Sequence, residues 1–428
     1  MAWLADALPE SAGGPLPPAL KVAGTNGKGS TAALAAAVLT ELGFETGLYT
    51  SPHFLEWPER IRIDGEPVGE ERLVPALTWF FEAAREYAAE FPGDHVSAFE
   101  AATAVALHVY GHLDLDALVV EAGIGGRLDS TWAFPGRRVG LTSIDLEHVE
   151  LLGRSTIDIA LEKAGLCPDG GVLVTGRLPA DVLRRLENAL ALREVEVLAV
   201  ERQARLHVRR VSASGTVFDL ATTPRGWLPD LDMDEVELAL PGRHQAENAA
   251  VAVLLVREWL AAHGPEVGAH DLEEAVREAW GKIVVPGRFQ RLASSGANGS
   301  GVWVDAGHTP AALAAVAETS QAAFPEAPVL LVGTSEGRDP AMLEPLLEHA
   351  RAAVVTHPTE RGAEPQPVAD VLRGMRPELP VEVHRQPSEA LEAACALARR
   401  AGCPVLVAGS LFLAGEVAGS GVGSTARG

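Results

Sequence analysis

The chain has 428 residues, enough for two or three domains with separate cores. Its formal net charge of −23 argues against nucleic acid as a main partner, because a phosphate backbone requires a basic footprint. A small anionic ligand stays open, since it senses only the local field.

Three cysteines (Cys167, Cys395, Cys403) lie outside any zinc spacing and read as reduced residues of a cytoplasmic protein. The N-terminus lacks a basic, then apolar leader, and no run of about 18 apolar residues predicts a membrane span.

KVAG (21–24) reads as a short strand ending at glycine, followed by a helix-favouring run from Lys28 to Leu42 with Gly43 as its stop. The strand FETGLYT (44–50) follows, so the turn AGTNGKGS (23–30) lies between a strand and a helix. DALVVEAG (116–123) and RRVGLTSI (137–144) have the unbroken apolar character of buried parallel strands. Helices are expected near 70–90, 97–112 and 155–165. From 171 to 240 short strand-like runs separated by turns suggest a β-rich elaboration, and 244–281 reads as two helices. After a Gly, Ser and Asn cluster at 293–301, five strands alternate with helices: VWVDAG, PVLLVG, AAVVTH, VEVHR and PVLVAGS. The fold class is α/β: a P-loop-type, mostly parallel sheet in an N-terminal domain with the β-rich elaboration, and a smaller Rossmann-like α/β domain. The expected boundaries are 1–287, 288–418 and a disordered tail at 419–428.

The turn departs from the usual phosphate-loop spacing. Gly24 lies four positions before Lys28, and Gly29 intervenes before Ser30. A strand feeding a glycine turn into a helix still presents unpaired N–H groups and the positive dipole end to an anion. Taken singly, it could also be a glycine-stabilised turn. YTSPH and ERIRIDGEPV (59–68) read singly as strand, loop and hairpin. Glu121 ends a buried strand before GIGGRLDST; it could hold Mg²⁺ beside a phosphate loop or cap the next element. His148 in TSIDLEHVELLG and Lys163 in LEKAG read singly as a loop histidine and a surface lysine.

In this order VAGTNGKGST, YTSPH, ERIRIDGEPV, VVEAGIGGRLDST, TSIDLEHVELLG and LEKAG closely resemble the dihydrofolate synthase/folylpolyglutamate synthase family of Mur-type ATP-dependent amide ligases. PGRHQAENAAVA (241–252), VPGRFQRL (285–292) and DAGHTP (305–310) extend the likeness, which spans roughly 20–415. The resemblance implies that Asn26, Gly27, Lys28, Gly29 and Ser30 cradle ATP phosphates. It implies Mg²⁺ ligation by Ser51, Glu121 and His148, and by Lys163 in carbamylated form at a second Mg²⁺. Asn248, Arg288, Asp305 and His308 match ATP contacts, and domain closure would complete that site. Lys28, Lys163, Glu121, His148 and Arg288 match the catalytic set. Ser97, Ala98, Phe99 and Glu100 (SAFE) with Arg127, Leu128 and Asp129 (RLD) match pterin-binding segments. The implied reaction phosphorylates a dihydropteroate or folate carboxylate and then lets L-glutamate attack the acyl phosphate. The implied protein is a cytoplasmic monomer acting on small molecules, with no nucleic acid or membrane partner.

Several positions depart from the family pattern: Ser130-Thr131-Trp132 for Ala-Thr-Asn, Glu147 for Asp, Thr309 for Asn, and Gly337-Arg338-Asp339 for Asp-Lys-Asp. The lead-in before the loop is about twenty residues. These departures bear on substrate preference more than on catalysis. They also leave two other readings: a ligase with a different carboxylate acceptor, and a nucleotide-binding regulatory homologue without ligation.

Overall fold

The computed structural model describes residues 3, 15–225, 230–264, 266–292 and 301–422. Most of the N-terminal segment, the 293–300 part of the linker and the 423–428 part of the expected tail lie outside the described residues; 418–422 form a π-helical turn.

The first sheet is built where the apolar runs predicted it. β1 (Ala19–Ala23) enters the glycine loop, and helix α1 (Lys28–Glu41) leads to β2 (Thr46–Tyr49). A hairpin of β3 (Ile61–Ile63) and β4 (Glu66–Pro67) precedes α2 (Glu70–Glu90) and α3 (Ala98–Gly111). Then come β5 (Ala117–Glu121), β6 (Arg138–Leu141), α4 (Thr156–Ala164), β7 (Val172–Thr175), α5 (Ala180–Ala191) and β8 (Glu196–Ala199). The strand order is β4-β3-β2-β5-β1-β6-β7-β8. Only the β2–β3 and β3–β4 pairings are antiparallel, so β3 alone runs against the other strands. β1 and β5 are buried along their whole length, as strands covered on both faces must be. β1 lies between β5 and β6, so its loop opens where the chain's direction across the sheet reverses. Ligands bind at that point in open α/β sheets.

The expected β-rich stretch needs a correction. Residues 180–191 form the helix α5, which buries Val182, Leu183, Leu186 and Leu190. These positions carry helical spacing, and the flanking strand-like runs masked it. β7 and β8 therefore belong to the parallel sheet. Only β9 (Ala204–Ser212), β10 (Gly215–Thr222) and β11 (Asp232–Leu238) form a separate three-stranded sheet, in the order β11-β10-β9. Helices α6 (Arg243–His263) and α7 (Ala269–Lys282) match the two expected there. Trp280, fully buried on α7, donates its indole N–H to the Leu34 carbonyl of α1 at 3.2 Å.

The second sheet contains β12 (Gln290–Leu292), β13 (Val302–Val304), β14 (Val329–Val332), β15 (Ala352–Val355), β16 (Val381–Val383) and β17 (Val405–Ala408). Helices α8 (Pro310–Ala323), α9 (Pro365–Met375), α10 (Pro387–Ala401) and α11 (Leu411–Val417) alternate with its parallel strands. The order is β12-β13-β17-β14-β15-β16. The five expected strands are the five parallel ones. β12 adds an antiparallel edge from the FQRL run, which is too short to show a period.

The chain divides into two compact units. One is Met1–His207, Phe218–Val236 and Ala246–Ile283; the other is Val208–Val217, Glu237–Gln245 and Val284–Gly428. Among the described residues no helix is long and apolar enough to cross a membrane.

One buried charge stands out in the first core. Strand pairing puts Ile61, Tyr49, Val120, Lys21 and Val139 in one row, pointing to one face. Lys21 is fully buried there, 4.9 Å below the Trp132 ring and donating to the Trp132 carbonyl at 3.4 Å. Burial pulls its pKa from the ordinary 10.5 down to about 8, against the opposing pull of Cys167 and Asp129. Between these two values the unfolded chain holds a proton that the folded chain has released. Stability therefore rises with pH across that window, and below pH 8 the cost of the buried ammonium is constant. Lys21→Met is expected to be more stable than the natural chain at pH 7 by ~1–3 kcal/mol. In denaturant melts the gap between the two should narrow from pH 8 to 10.5. A gap independent of pH would remove the assignment.

Candidate nucleotide and metal site

The glycine loop is held open by its neighbours in the sheet. Thr25 N–H donates to the Ser143 carbonyl at 2.7 Å, and Asn26 N–H to the Ser143 hydroxyl at 3.1 Å. The Thr142 hydroxyl donates to the Asn26 carbonyl at 2.6 Å. Thr142 and Ser143 follow β6, so the strand beside β1 fixes the loop that β1 carries. Within TSID nothing in the sequence marks either residue for this role. Gly27 caps α1 in the left-handed region, φ 87°, and a Cβ there would lie 2.3 Å from Asn248 Oδ1. Asn248 thus lies directly against the loop. Lys28 opens the helix, and its ammonium folds back onto the Gly24 and Thr25 carbonyls at 3.0 and 3.1 Å. Ser30 is buried in the first turn.

Glu121 ends β5 and is 5% exposed. A Cβ on Gly29 would lie 3.2 Å from Glu121 Oε2, so the first turn of α1 passes directly over the carboxylate. The same oxygen accepts the Ser51 N–H at 2.9 Å. Ser51, Glu121 and the loop are therefore brought together. His148 stands exposed at the start of the short helix Val149–Leu152, with φ 44°, next to Glu147.

Lys163, expected near a metal, is fully buried on α4. Its ammonium reaches the Gly24 carbonyl at 3.0 Å, the Ile124 carbonyl at 2.8 Å and Glu147 Oε1 at 2.8 Å. It thereby joins the loops after β1, β5 and β6. Burial lowers its pKa, aided by Lys28 and opposed by Glu147. Burial alone would raise the Glu147 pKa, but the cations Lys163 and Lys28 and the Thr25 hydroxyl hold it below the usual carboxylate range.

The two expected pterin segments meet at Gly123. The Phe99 ring lies against it, and Gly123 N–H donates to Asp129 Oδ2 at 3.0 Å. Asp129 Oδ1 also accepts from Thr131 N–H and hydroxyl, at 3.0 and 2.7 Å. Asp129 is thus committed to shaping the loop. Ser97 and Glu100 are similarly engaged as a capping box on α3. Ser97 Oγ accepts the Glu100 N–H at 3.2 Å, and Glu100 Oε2 accepts the Ser97 N–H at 3.0 Å. Ala98 and Leu128 are exposed, and Arg127 pairs with Glu162 at 3.3 Å.

In the other unit Asp305 is buried after β13. Its two oxygens accept from Phe289 N–H at 2.9 Å and Gly307 N–H at 2.7 Å. Burial raises its pKa, against Arg288 and these two donors. Arg288 also bears on His244, whose pKa burial and that cation push down to about 4. Within PGRHQ nothing in the sequence marks His244 for this position. His308 Nδ1 bonds the Ala306 carbonyl at 2.9 Å. Thr309, in place of the usual Asn, caps α8 by accepting Ala312 N–H at 3.2 Å, and Pro310 takes the first helical position. Asp339 caps a 3₁₀ turn through Ala341 N–H at 2.9 Å. The structure offers no account of Arg338 in place of Lys.

The close contact at Gly27 makes a direct prediction. Gly27→Ala combines a left-handed φ with a clash on Asn248, and is expected to cost ~1–3 kcal/mol in a denaturant melt. It should also weaken nucleotide binding in a titration. Unchanged values of both would show that the turn tolerates a side chain.

Residues 287–411 match the Mur ligase glutamate ligase domain. A probable bifunctional folylpolyglutamate synthase/dihydropteroate synthase of Haloferax volcanii is 32% identical over 403 residues, covering 93% of this chain and 45% of that relative. The dihydrofolate synthase/folylpolyglutamate synthase of Mycobacterium tuberculosis is 32% identical over 314 residues, covering 71% of this chain and 62% of the relative. The chain thus spans less than two thirds of the length of these relatives. Among solved structures, Mycobacterium tuberculosis folylpolyglutamate synthase complexed with ADP matches with a TM-score of 0.84 at 27% identity, covering 97% of this chain and 92% of that one. E. coli FolC in complex with DHPP and ADP matches with a TM-score of 0.79 at 25% identity, over 97% and 91%. With the ordered motifs, the doubly wound sheet and the loop built onto it, these matches show that the chain carries the Mur ligase glutamate ligase domain over 287–411 and is similar along nearly its whole length to proteins named dihydrofolate synthase and folylpolyglutamate synthase.

Proposed function

We propose that this chain is an ATP-dependent ligase that joins L-glutamate to dihydropteroate, to a reduced folate, or to both. The observation that carries the reading is the meeting of Glu121, Ser51 and Gly29 at the start of α1. A buried carboxylate beside a helix N-terminus serves a magnesium-bound triphosphate better than it serves packing. Exposed apolar side chains support an aromatic acceptor: Leu55, Ile124, Leu128 and Leu146 lie in loops after β2, β5 and β6, and Leu151 on the short helix Val149–Leu152. Relatives bearing the folylpolyglutamate and dihydrofolate synthase names support the substrate class.

In the proposed reaction the acceptor carboxylate oxygen attacks the γ-phosphorus of ATP. The bond to the β-phosphate oxygen breaks, giving an acyl phosphate and ADP. The glutamate amine then attacks the acyl carbon, the carbon–phosphate oxygen bond breaks, and the amine proton passes to solvent. The N–H groups at the start of α1 and Lys28 bind and orient the phosphates. Arg288, Asp305 and His308 are assigned to the nucleotide on their motifs. The protein acts in this reading as a cytoplasmic monomer.

Ser51 and Glu121 meet and supply a hydroxyl and a carboxylate, which suit Mg²⁺ if phosphate and water complete the shell; His148 is assigned to the ion on its motif. When bound, the ion supplies charge neutralisation on the transferring phosphoryl group. A carbamate on Lys163 fits less well. It would set negative charge against the Glu147 carboxylate and two carbonyl oxygens now within 3.0 Å of the amine. Glu147 would have to leave, and no step is assigned to that group.

Glu121→Ala should abolish ATP- and glutamate-dependent amide formation, by about 100-fold or more, with folding retained. The check is product mass after incubation with ATP, Mg²⁺, glutamate and either dihydropteroate or tetrahydrofolate. Near-normal turnover by the variant would remove the assignment of Glu121.

A further inference from the structure

A charged side chain beside this site has no part in the reading above. Strand pairing sets Tyr49 against Ile61 on one side and Val120 on the other. One step beyond, the next row holds Arg60, Thr50 and Glu121, and Thr50 N–H donates to the Arg60 carbonyl at 3.0 Å. Arg60 is thus two strands from Glu121, about 10 Å between backbones at the usual strand spacing. That gap is suited to a ligand group between cation and carboxylate.

The guanidinium is fixed in place. Its Nε donates to His53 Nδ1 at 2.9 Å, so His53 carries its proton on Nε2 when neutral. The loop that holds His53 is fixed in turn by Glu59. That carboxylate accepts from Phe54, Leu55 and Glu56 N–H at 2.8, 3.0 and 2.9 Å. Among the described residues, the two terminal amino groups of Arg60 have no protein acceptor. A half-buried guanidinium pinned at Nε presents a rigid two-pronged donor, the geometry that binds a carboxylate or phosphoryl group bidentately. Burial lowers its pKa somewhat, with Tyr49 and Glu121 opposing, and it remains a cation.

We propose that Arg60 binds the carboxylate of the acceptor substrate, the group that receives the phosphoryl, and keeps hold of it as the acyl phosphate forms. The proposal rests on the ligase reading and assigns one residue's role within it. The amino-acid co-substrate also carries carboxylates, so the test separates the two.

Arg60→Gln is expected to raise KM for the acceptor at least about tenfold, the loss of a charged bidentate contact. It should slow glutamate-independent ADP formation in a single turnover by a similar factor. KM for ATP and for glutamate should stay within about twofold of the natural values. Arg60→Lys, which keeps the charge and loses the fork, should recover part of the acceptor affinity; it also serves if the Gln variant does not fold. An unchanged acceptor KM in both variants, or a rise confined to glutamate or ATP, overturns the proposal. If the natural chain makes no product with any pteroate or folate, the ligase reading itself fails; if it does and Arg60→Gln equals it, only the role of Arg60 fails.

Discussion

The approach of a helix N-terminus to a buried carboxylate is the constraint on which the rest of the site depends. Glu121 lies under the first turn of α1, and the missing side chain at position 29 eases that approach, since a Cβ there would stand 3.2 Å from Oε2. A β-carbon there would press on the carboxylate, which would have to give by a few tenths of an ångström. The helix brings N–H groups and a positive dipole end; the strand brings the negative charge. Between two such groups a cation with an anionic ligand is stabilised by both.

The same economy governs the loops around it. Thr142 and Ser143, Asp129, Glu59 and the Ser97–Glu100 pair each use side-chain oxygens to satisfy backbone donors or to hold carbonyls. Polar residues at strand ends therefore divide into two kinds. Some are consumed in shaping loops, and others, such as Arg60, keep donors directed outward. A motif match does not separate these kinds, and hydrogen-bond geometry does.

This division explains what was legible in the sequence. The path from β1 through the glycine loop to α1 could be read directly, because an apolar run, a glycine turn and a helix-favouring run each obey a local rule. So could the five parallel strands of the second sheet, whose residues are apolar on both faces. The helix α5 was not legible, since the strand-like runs on either side of it dominate the stretch, and β12 is too short to show alternation. The ordered motifs single out Ser51 and Glu121, and the structure brings the Ser51 N–H to the Glu121 carboxylate. The pairing of Asp129 with Gly123, of Arg60 with His53, and of Lys163 with Glu147 spans between 6 and 16 positions of sequence with no periodic signature. Those contacts follow from the tertiary packing of loops.

The three-way tether at Lys163 has a thermodynamic meaning for ligand capture. One ammonium joins the segments after β1, β5 and β6, so the glycine turn carries little slack before anything binds. The configurational freedom that a floppy loop would surrender on meeting a triphosphate is already absent in the folded chain. In the proposed ligase nucleotide affinity would be governed by how well these segments hold one another, because Lys163 couples residue 147 to residue 24.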